Sequence, residues 1–172
     1  MRAQGATCQL SLGRGIVGQI NKSGLMTSPK LRQTKRSLPI ALLRARETIM
    51  EPVRDMLLRS QISEQKWRVL RVVEEIGPVE PTVIAKRACL LLPSLTRLMH
   101  AMEHDGLLTR KPGTSDRRKS IVSITLKGRA LIEEHAGESV ALFDKIEDQF
   151  GGEKLEHLLD LLEDLQDLDL SK

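Results

Sequence analysis

From Leu107 to Thr125 the chain drops the three-to-four-residue apolar spacing that it keeps on either side and alternates instead. Ile121, Ser123 and Thr125 alternate with Val122 and Ile124, the period of a strand, and Leu107 to Lys111 reads as its partner. Pro112, Gly113, Thr114, Ser115 and Asp116 between them are turn residues. A single hairpin inside an otherwise helical chain leaves no place for a βαβ unit. The fold class is therefore mainly α with a small β-hairpin.

The helices on either side have readable ends. Leu38, Leu42, Ala45, Ile49 and Val53 share one helical face, with Pro52 expected to kink the helix or mark a bend. Ser63 announces a second helix carrying Trp67, Leu70, Val73 and Ile76, and Gly77-Pro78 ends it. A third begins at Pro81 and runs through Ala88. The fourth runs from Leu92 to Asp105, with Leu95, Leu98 and Met102 inward and Gly106 as terminator. After Thr125 one helix is expected from about Leu126 to Phe150 and another from about Glu153 to Leu168, separated by Gly151-Gly152. In the last, Leu155, Leu158, Leu162 and Leu165 follow a coiled-coil-like spacing that Leu159, Leu161 and Leu168 widen. A stripe that broad needs a partner.

Charge is laid out in blocks. The chain of 172 residues carries a formal +4, yet residues 1–36 hold seven Lys/Arg and no acid, and residues 120–172 hold five against thirteen Asp/Glu. The first block has no sustained apolar period and reads as a basic, disordered arm or extension, within which Met26 offers an alternative start. Residues 91–119 hold six Lys/Arg and three acids, a cationic island among neutral or acidic neighbours. That island is a candidate anion-binding surface.

Short helices followed by a two-stranded hairpin is the order of a winged helix-turn-helix, whose later helix enters the DNA major groove. With Leu95, Leu98 and Met102 inward, Pro93, Ser94, Thr96, Arg97 and His100 face out. Hydroxyls and a helix N-terminus suit phosphates, and Arg97 suits a bidentate contact to guanine. At the hairpin tip, Arg117, Arg118 and Lys119 repel one another unless a phosphate backbone or narrow minor groove is near. Ser115 joins them, and Asp116 is placed to accept from Arg118 and fix its direction. Taken alone, the acidic leucine-rich C-terminal region also fits a protein-interaction module. In that case the hairpin cations have no nucleic-acid role.

Asp116 to Gly128, D-R-R-K-S-I-V-S-I-T-L-K-G, resembles the wing signature of the MarR family of bacterial regulators: D-x-R, an alternating strand, then T-x-x-G. The resemblance runs from about Leu38 to Leu168. Within the family, A-L-L-R-A-R-E (Ala41–Glu47), S-E-Q-K-W-R-V-L-R (Ser63–Arg71), R-A-C-L-L-L-P-S-L-T (Arg87–Thr96) and M-E-H-D-G-L (Met102–Leu107) look like repressors of homoprotocatechuate (hydroxyphenylacetate) catabolic operons. The resemblance implies a two-fold homodimer on a pseudo-palindromic double-stranded operator, released by a small aromatic acid or phenol. Residues 37–60 and 126–170 would then form the dimerisation region, through Leu38, Leu42, Leu155, Leu158, Leu162 and Leu165, and residues 61–125 the DNA-binding lobe. The family's effector pocket lies between the two, so Ser37 and Arg44, seven apart and expected on one helix face, would meet an oxygen and the carboxylate, with Trp67 as an apolar wall.

Other chemistries find little support. Gly13, Gly15 and Gly18 match a dinucleotide fingerprint in form, but no βαβ unit follows and the next acid is Glu47. His100 and His104 have metal-compatible spacing without a third ligand. Cys8 and Cys89 show no disulfide or zinc pattern and point to a reducing cytoplasm, and Cys89, followed by three leucines, is expected to be inert in an apolar setting. No nucleophile and base can be paired, no cofactor is implied, and no apolar run approaches membrane length. A soluble, cytoplasmic, non-enzymatic regulator is the expectation.

Overall fold

The computed structural model describes residues 33–113 and 119–170. A 3-10 turn at Thr34–Arg36 leads into α1 (Leu38–Leu58), followed by α2 (Glu64–Ile76), α3 (Pro81–Arg87), α4 (Leu92–His104), β1 (Leu108–Pro112), β2 (Ser120–Ile124), α5 (Leu126–Phe150) and α6 (Gly152–Gln166). The chain divides into two units between Ala45 and Arg46, inside α1. Before that boundary Leu38, Leu42 and Leu43 are exposed along the helix. Ser37 precedes the helix in extended conformation, and its carbonyl accepts from Ala41 N at 2.9 Å. It therefore caps α1, one residue before the helix that carries Arg44. Pro39 in the first turn suits a helix start, because its missing N–H would have had no intrahelical partner.

In the second unit the core is built where α2, α3, α4 and the hairpin converge. Val69, Leu70 and Val73 of α2, Ile84 of α3, Leu95, Met99 and Met102 of α4, and Leu108 and Val122 of the strands are all sealed from solvent. On α4 the third fully buried position is Met99. Leu98, expected there, is partly buried against the same cluster, since the helix turns a wider stripe inward than a three-residue pattern conveys. Met56 and Leu57 from the end of α1 and Ile132 from α5 complete the core. Pro52 lies inside α1.

Helix ends follow their chemistry. Ser63 Oγ accepts from Lys66 N at 3.2 Å, and Gly77 closes α2 at φ +83°. Gly106 at φ +72° turns the chain from α4 into the hairpin. The last helix ends at Gln166, two residues short of Leu168, after Glu163 and Asp164 place negative charge at the wrong end of the helix dipole.

The hairpin is antiparallel, in register from Leu108 opposite Ile124 to Pro112 opposite Ser120. Gly113 N donates to Lys119 O at 2.8 Å, and residues 114–118 between them lie outside the described part. Val79 adds a third rung that the sequence does not reveal: Val79 N donates to Val122 O at 3.0 Å and Val122 N to Val79 O at 2.8 Å. One residue cannot display a period of two.

Thr125 and Gly128 join the hairpin to α5. Thr125 Oγ1 accepts from Gly128 N at 3.0 Å and donates to Gly106 O at 2.7 Å, so one hydroxyl caps α5 and holds the end of α4. A Cβ on Gly128 would stand 2.5 Å from Leu107 O and 2.7 Å from Ile124 Cγ1. The T-x-x-G spacing is thus a packing requirement. Gly128→Ala is expected to cost about 1–3 kcal/mol by overpacking, with roughly 2–4 °C of Tm lost per kcal/mol in a chain of this size. Gly137→Ala, where nothing lies within 4 Å, should instead gain about 0.5–1 kcal/mol. Thermal unfolding of both variants checks this, and an unchanged Tm for Gly128→Ala would contradict the close approach.

Candidate nucleic-acid interface

The turn before α4 is tightly constructed. Leu90 N donates to Ala85 O at 2.9 Å, Arg68 Nη1 reaches from α2 to Ala88 O at 2.8 Å, and Cys89 adopts φ +51°. Cys89 is exposed there, not enclosed by apolar neighbours as expected, because Leu91 and Leu92 after it are themselves exposed. Burial of Leu95, Met99 and Met102 fixes the rotation of α4. Pro93, Ser94, Arg97 and His100 consequently face solvent, with Thr96 half-buried beside them.

No side chain caps the start of α4, and Pro93 in its first turn has no N–H. The remaining first-turn N–H groups are open to an anion. Thr96 departs from expectation in one respect. Its hydroxyl donates to Leu92 O at 2.9 Å, one turn back on its own helix. It offers a methyl and a lone pair outward, which suits a thymine methyl better than a phosphate.

Of the expected wing residues, Ser115, Asp116, Arg117 and Arg118 lie outside the described residues. Lys119 is exposed and pairs with Glu80 at 2.8 Å, linking β2 to the start of α3. Arg110 on β1 carries no signal of its own in the sequence, yet its Nη2 lies 3.2 Å from Glu103 Oε2 and 3.5 Å from His100 Nδ1 on α4. Ten residues of separation hide that proximity. It depends on the Gly106 turn laying β1 back along α4.

Below this surface, Lys66 Nζ on α2 meets Asp105 Oδ2 at 2.6 Å, and Lys127 Nζ donates to Asp105 O at 2.8 Å. The hydrogen bond and charge of Lys66 hold the Asp105 carboxyl below the usual carboxylate range. The end of α4 is thereby fastened to both α2 and α5.

A second polar cluster lies in the core. Trp67 is buried, with its ring edge-on to His135 of α5 at 5.7 Å between centroids. Ser60 Oγ donates to Glu134 Oε1 at 2.9 Å, so it receives the His135 Nε2 proton at 2.8 Å. That leaves His135 Nδ1 as a buried acceptor with no partner among the described residues. Sequence reasoning missed His135, because a lone histidine between Glu134 and Ala136 carries no spacing signal. An open pocket of about 390 Å³ lies nearby between α1 and α5, lined by Asp55, Met56, Arg59, Glu138 and Leu142 among others. Of the expected effector residues, Ser37 is half-buried and Arg44 exposed. Among the described residues no group of three or more His, Cys, Asp or Glu could hold a metal ion, and no helix is long and apolar enough to cross a membrane.

Comparison with known proteins agrees with this geometry. Residues 62–120 match the model of the MarR family. The homoprotocatechuate degradative operon repressor of Escherichia coli is 40% identical over 128 residues, covering 74% of this chain and 86% of that protein. Among solved structures, NadR in complex with 4-hydroxyphenylacetate superposes with a TM-score of 0.73 at 33% identity, covering 82% of this chain and 100% of the other. The transcriptional repressor CouR bound to a 23-mer DNA duplex gives 0.69 at 26% identity, covering 81% and 99%. A chain with this order of helices and hairpin, and this similarity to a repressor over most of its length, belongs to the MarR family of winged-helix transcriptional regulators.

Proposed function

We propose that this regulator represses an aromatic-compound catabolic operon and leaves its operator when a small aromatic acid or phenol binds. The observation that carries the DNA side is the outward face of α4, with Ser94, Arg97 and His100 exposed beside the hairpin, and with Arg117-Arg118-Lys119 lying between the two strands in the sequence. Pro93 and Thr96 supply apolar contact, and Ser115 and Asp116 are proposed as DNA-binding residues, Asp116 by orienting Arg118. Residues 61–125 form the DNA-binding lobe in this reading. The identity to a homoprotocatechuate operon repressor supports the choice of operon class.

Two copies are proposed to join through residues 37–60 and 126–170 about a two-fold axis. Leu38, Leu42 and Leu158 are exposed, Leu162 and Leu165 half-exposed, and Phe143 and Phe150 add to the uncovered apolar surface. Surface of that kind calls for a partner. Leu155 has a different place from the one expected, since it is buried within the chain.

Effector contacts are proposed for each unit by itself: in the first, Arg44 to neutralise a carboxylate and Ser37 to hydrogen-bond an oxygen; in the second, Trp67 to provide an apolar wall. The open acceptor His135 Nδ1 beside Trp67 suits a phenolic hydroxyl donor. NadR, whose structure holds 4-hydroxyphenylacetate, makes that compound the first probe.

Fluorescence anisotropy on promoter fragments adjoining the gene tests the reading, titrated with 4-hydroxyphenylacetate, 3,4-dihydroxyphenylacetate and phenylacetate. Tight binding that a phenolic acid abolishes is expected. Binding to no fragment would overturn the reading in favour of an interaction module, and binding indifferent to all three acids would overturn the effector class. Arg97→Ala should weaken operator binding by roughly 5- to 150-fold, the worth of about 1–3 kcal/mol for a bidentate base contact. Arg117→Ala should weaken binding to all sequences alike and make the salt slope shallower by about 1, the share of a single phosphate partner. His135→Phe is expected to blunt the response to 4-hydroxyphenylacetate more than that to phenylacetate. An equal effect on both would remove His135 from the hydroxyl subsite.

A further inference from the structure

His100, Glu103 and Arg110 form a three-membered charge cluster where α4 meets β1. His100 Nδ1 lies 3.7 Å from Glu103 Oε2 and 3.5 Å from Arg110 Nη2, and Arg110 Nη2 lies 3.2 Å from Glu103 Oε2. Arg110 thus touches both of the others. A guanidinium cannot accept a hydrogen bond, so Nδ1 facing it is best used as a lone-pair acceptor. In that arrangement the imidazole Nδ1 is the acceptor of a cluster whose other members are a guanidinium and a carboxylate.

A phosphate changes that balance. Arg110, at the root of the wing and about a third exposed, is the cation that an arriving phosphate draws outward. Its departure would leave the Glu103 carboxylate unpaired at a surface meeting a polyanion, an arrangement that costs free energy. His100 stands three residues before Glu103 on the same helix face and can relieve it. With a proton from solvent on Nδ1, the imidazolium donates to Glu103 from one nitrogen and to DNA from the other.

We propose that the His100–Glu103–Arg110 cluster exchanges partners on operator binding: Arg110 moves from Glu103 to phosphate, and His100 takes one proton from solvent and replaces it. Operator binding is then linked to uptake of about one proton per half-site. The proposal rests on α4 and the wing being the DNA-binding surface.

The charged groups around His100 on α4 are Arg97, Glu103 and His104, and β1 brings Arg110. The other elements against α4 are α3, which ends in Lys86 and Arg87, and α2, whose Lys66 pairs with Asp105 at the end of α4. His104 is almost fully exposed and lies beside Asp105 instead, at 3.6 Å. The sign follows from linkage: the complex holds the extra proton, so affinity rises as pH falls.

The test is the Kd of the full chain for its operator between about pH 6 and about pH 8, by anisotropy at constant ionic strength. Affinity should tighten as pH falls, approaching about tenfold per pH unit per half-site on the alkaline side. His100→Gln should flatten the profile, His104→Gln should keep it, and Glu103→Gln, which retains the imidazole, should shift it to lower pH. Circular dichroism melting confirms that each variant is folded. A flat profile for the unaltered chain, or an undiminished slope in His100→Gln, would overturn the exchange while leaving DNA binding in place. Absence of binding at every pH would instead remove the reading on which it rests.

Discussion

The close approach of α5 to the root of the hairpin at Gly128 is the constraint on which the other features depend. There the helix backbone lies so near Leu107 O that no side chain fits between them. The Thr125 hydroxyl spans the same junction, accepting from the first turn of α5 and donating to the carbonyl of Gly106. Three elements with different roles meet within a few residues: the end of the outward-facing helix α4, the strand leading to the wing, and the long helix α5. Their mutual orientation is set by backbone and a single hydroxyl. Backbone packing of this kind has few alternative arrangements, which suits a surface that must match the spacing of DNA phosphates.

Electrostatics reinforce the same junction from beneath. Asp105 is held by Lys66 through its carboxylate and by Lys127 through its carbonyl, so α2 and α5 both grip the end of α4. Partly exposed contacts of this kind contribute little stability individually. Their value here is positional, since α2 also carries Trp67 against His135 of α5. Any molecule that repacks Trp67 acts on the helix that holds Asp105. An effector response carried from Trp67 to α4 has that packed path available to it, and the coupling energy between the two sites is the quantity that would establish its use.

Much of the fold was legible from the sequence because its elements carry strong local signals. Ser63, Pro81, Gly106 and Gly151 mark ends that the structure places within a residue or two, and the switch of period after Gly106 located the hairpin. The outward set on α4 was legible because Leu95 and Met102 are indeed buried, while the neighbouring Met99 shows how a 3.6-residue period blurs a three-residue reading. Features that depend on tertiary placement were not legible. The Val79 rung occupies one residue, Arg110 reaches His100 across a turn, and His135 becomes notable only when Ser60 and Trp67 surround it. Ser37 is the cap of α1 and not a residue within it, a distinction that spacing alone cannot make. Cys89 is open to solvent because two of the three leucines after it are exposed, which a run of apolar letters does not disclose.

That two copies of α4 and its wing read two half-sites related by a dyad is tested most directly by hydroxyl-radical footprinting of the operator complex. Two protected tracts of equal extent are expected, symmetric about a centre and about one helical turn, or a multiple of it, apart. A single asymmetric tract, or protection that does not repeat with the helical period, would contradict it.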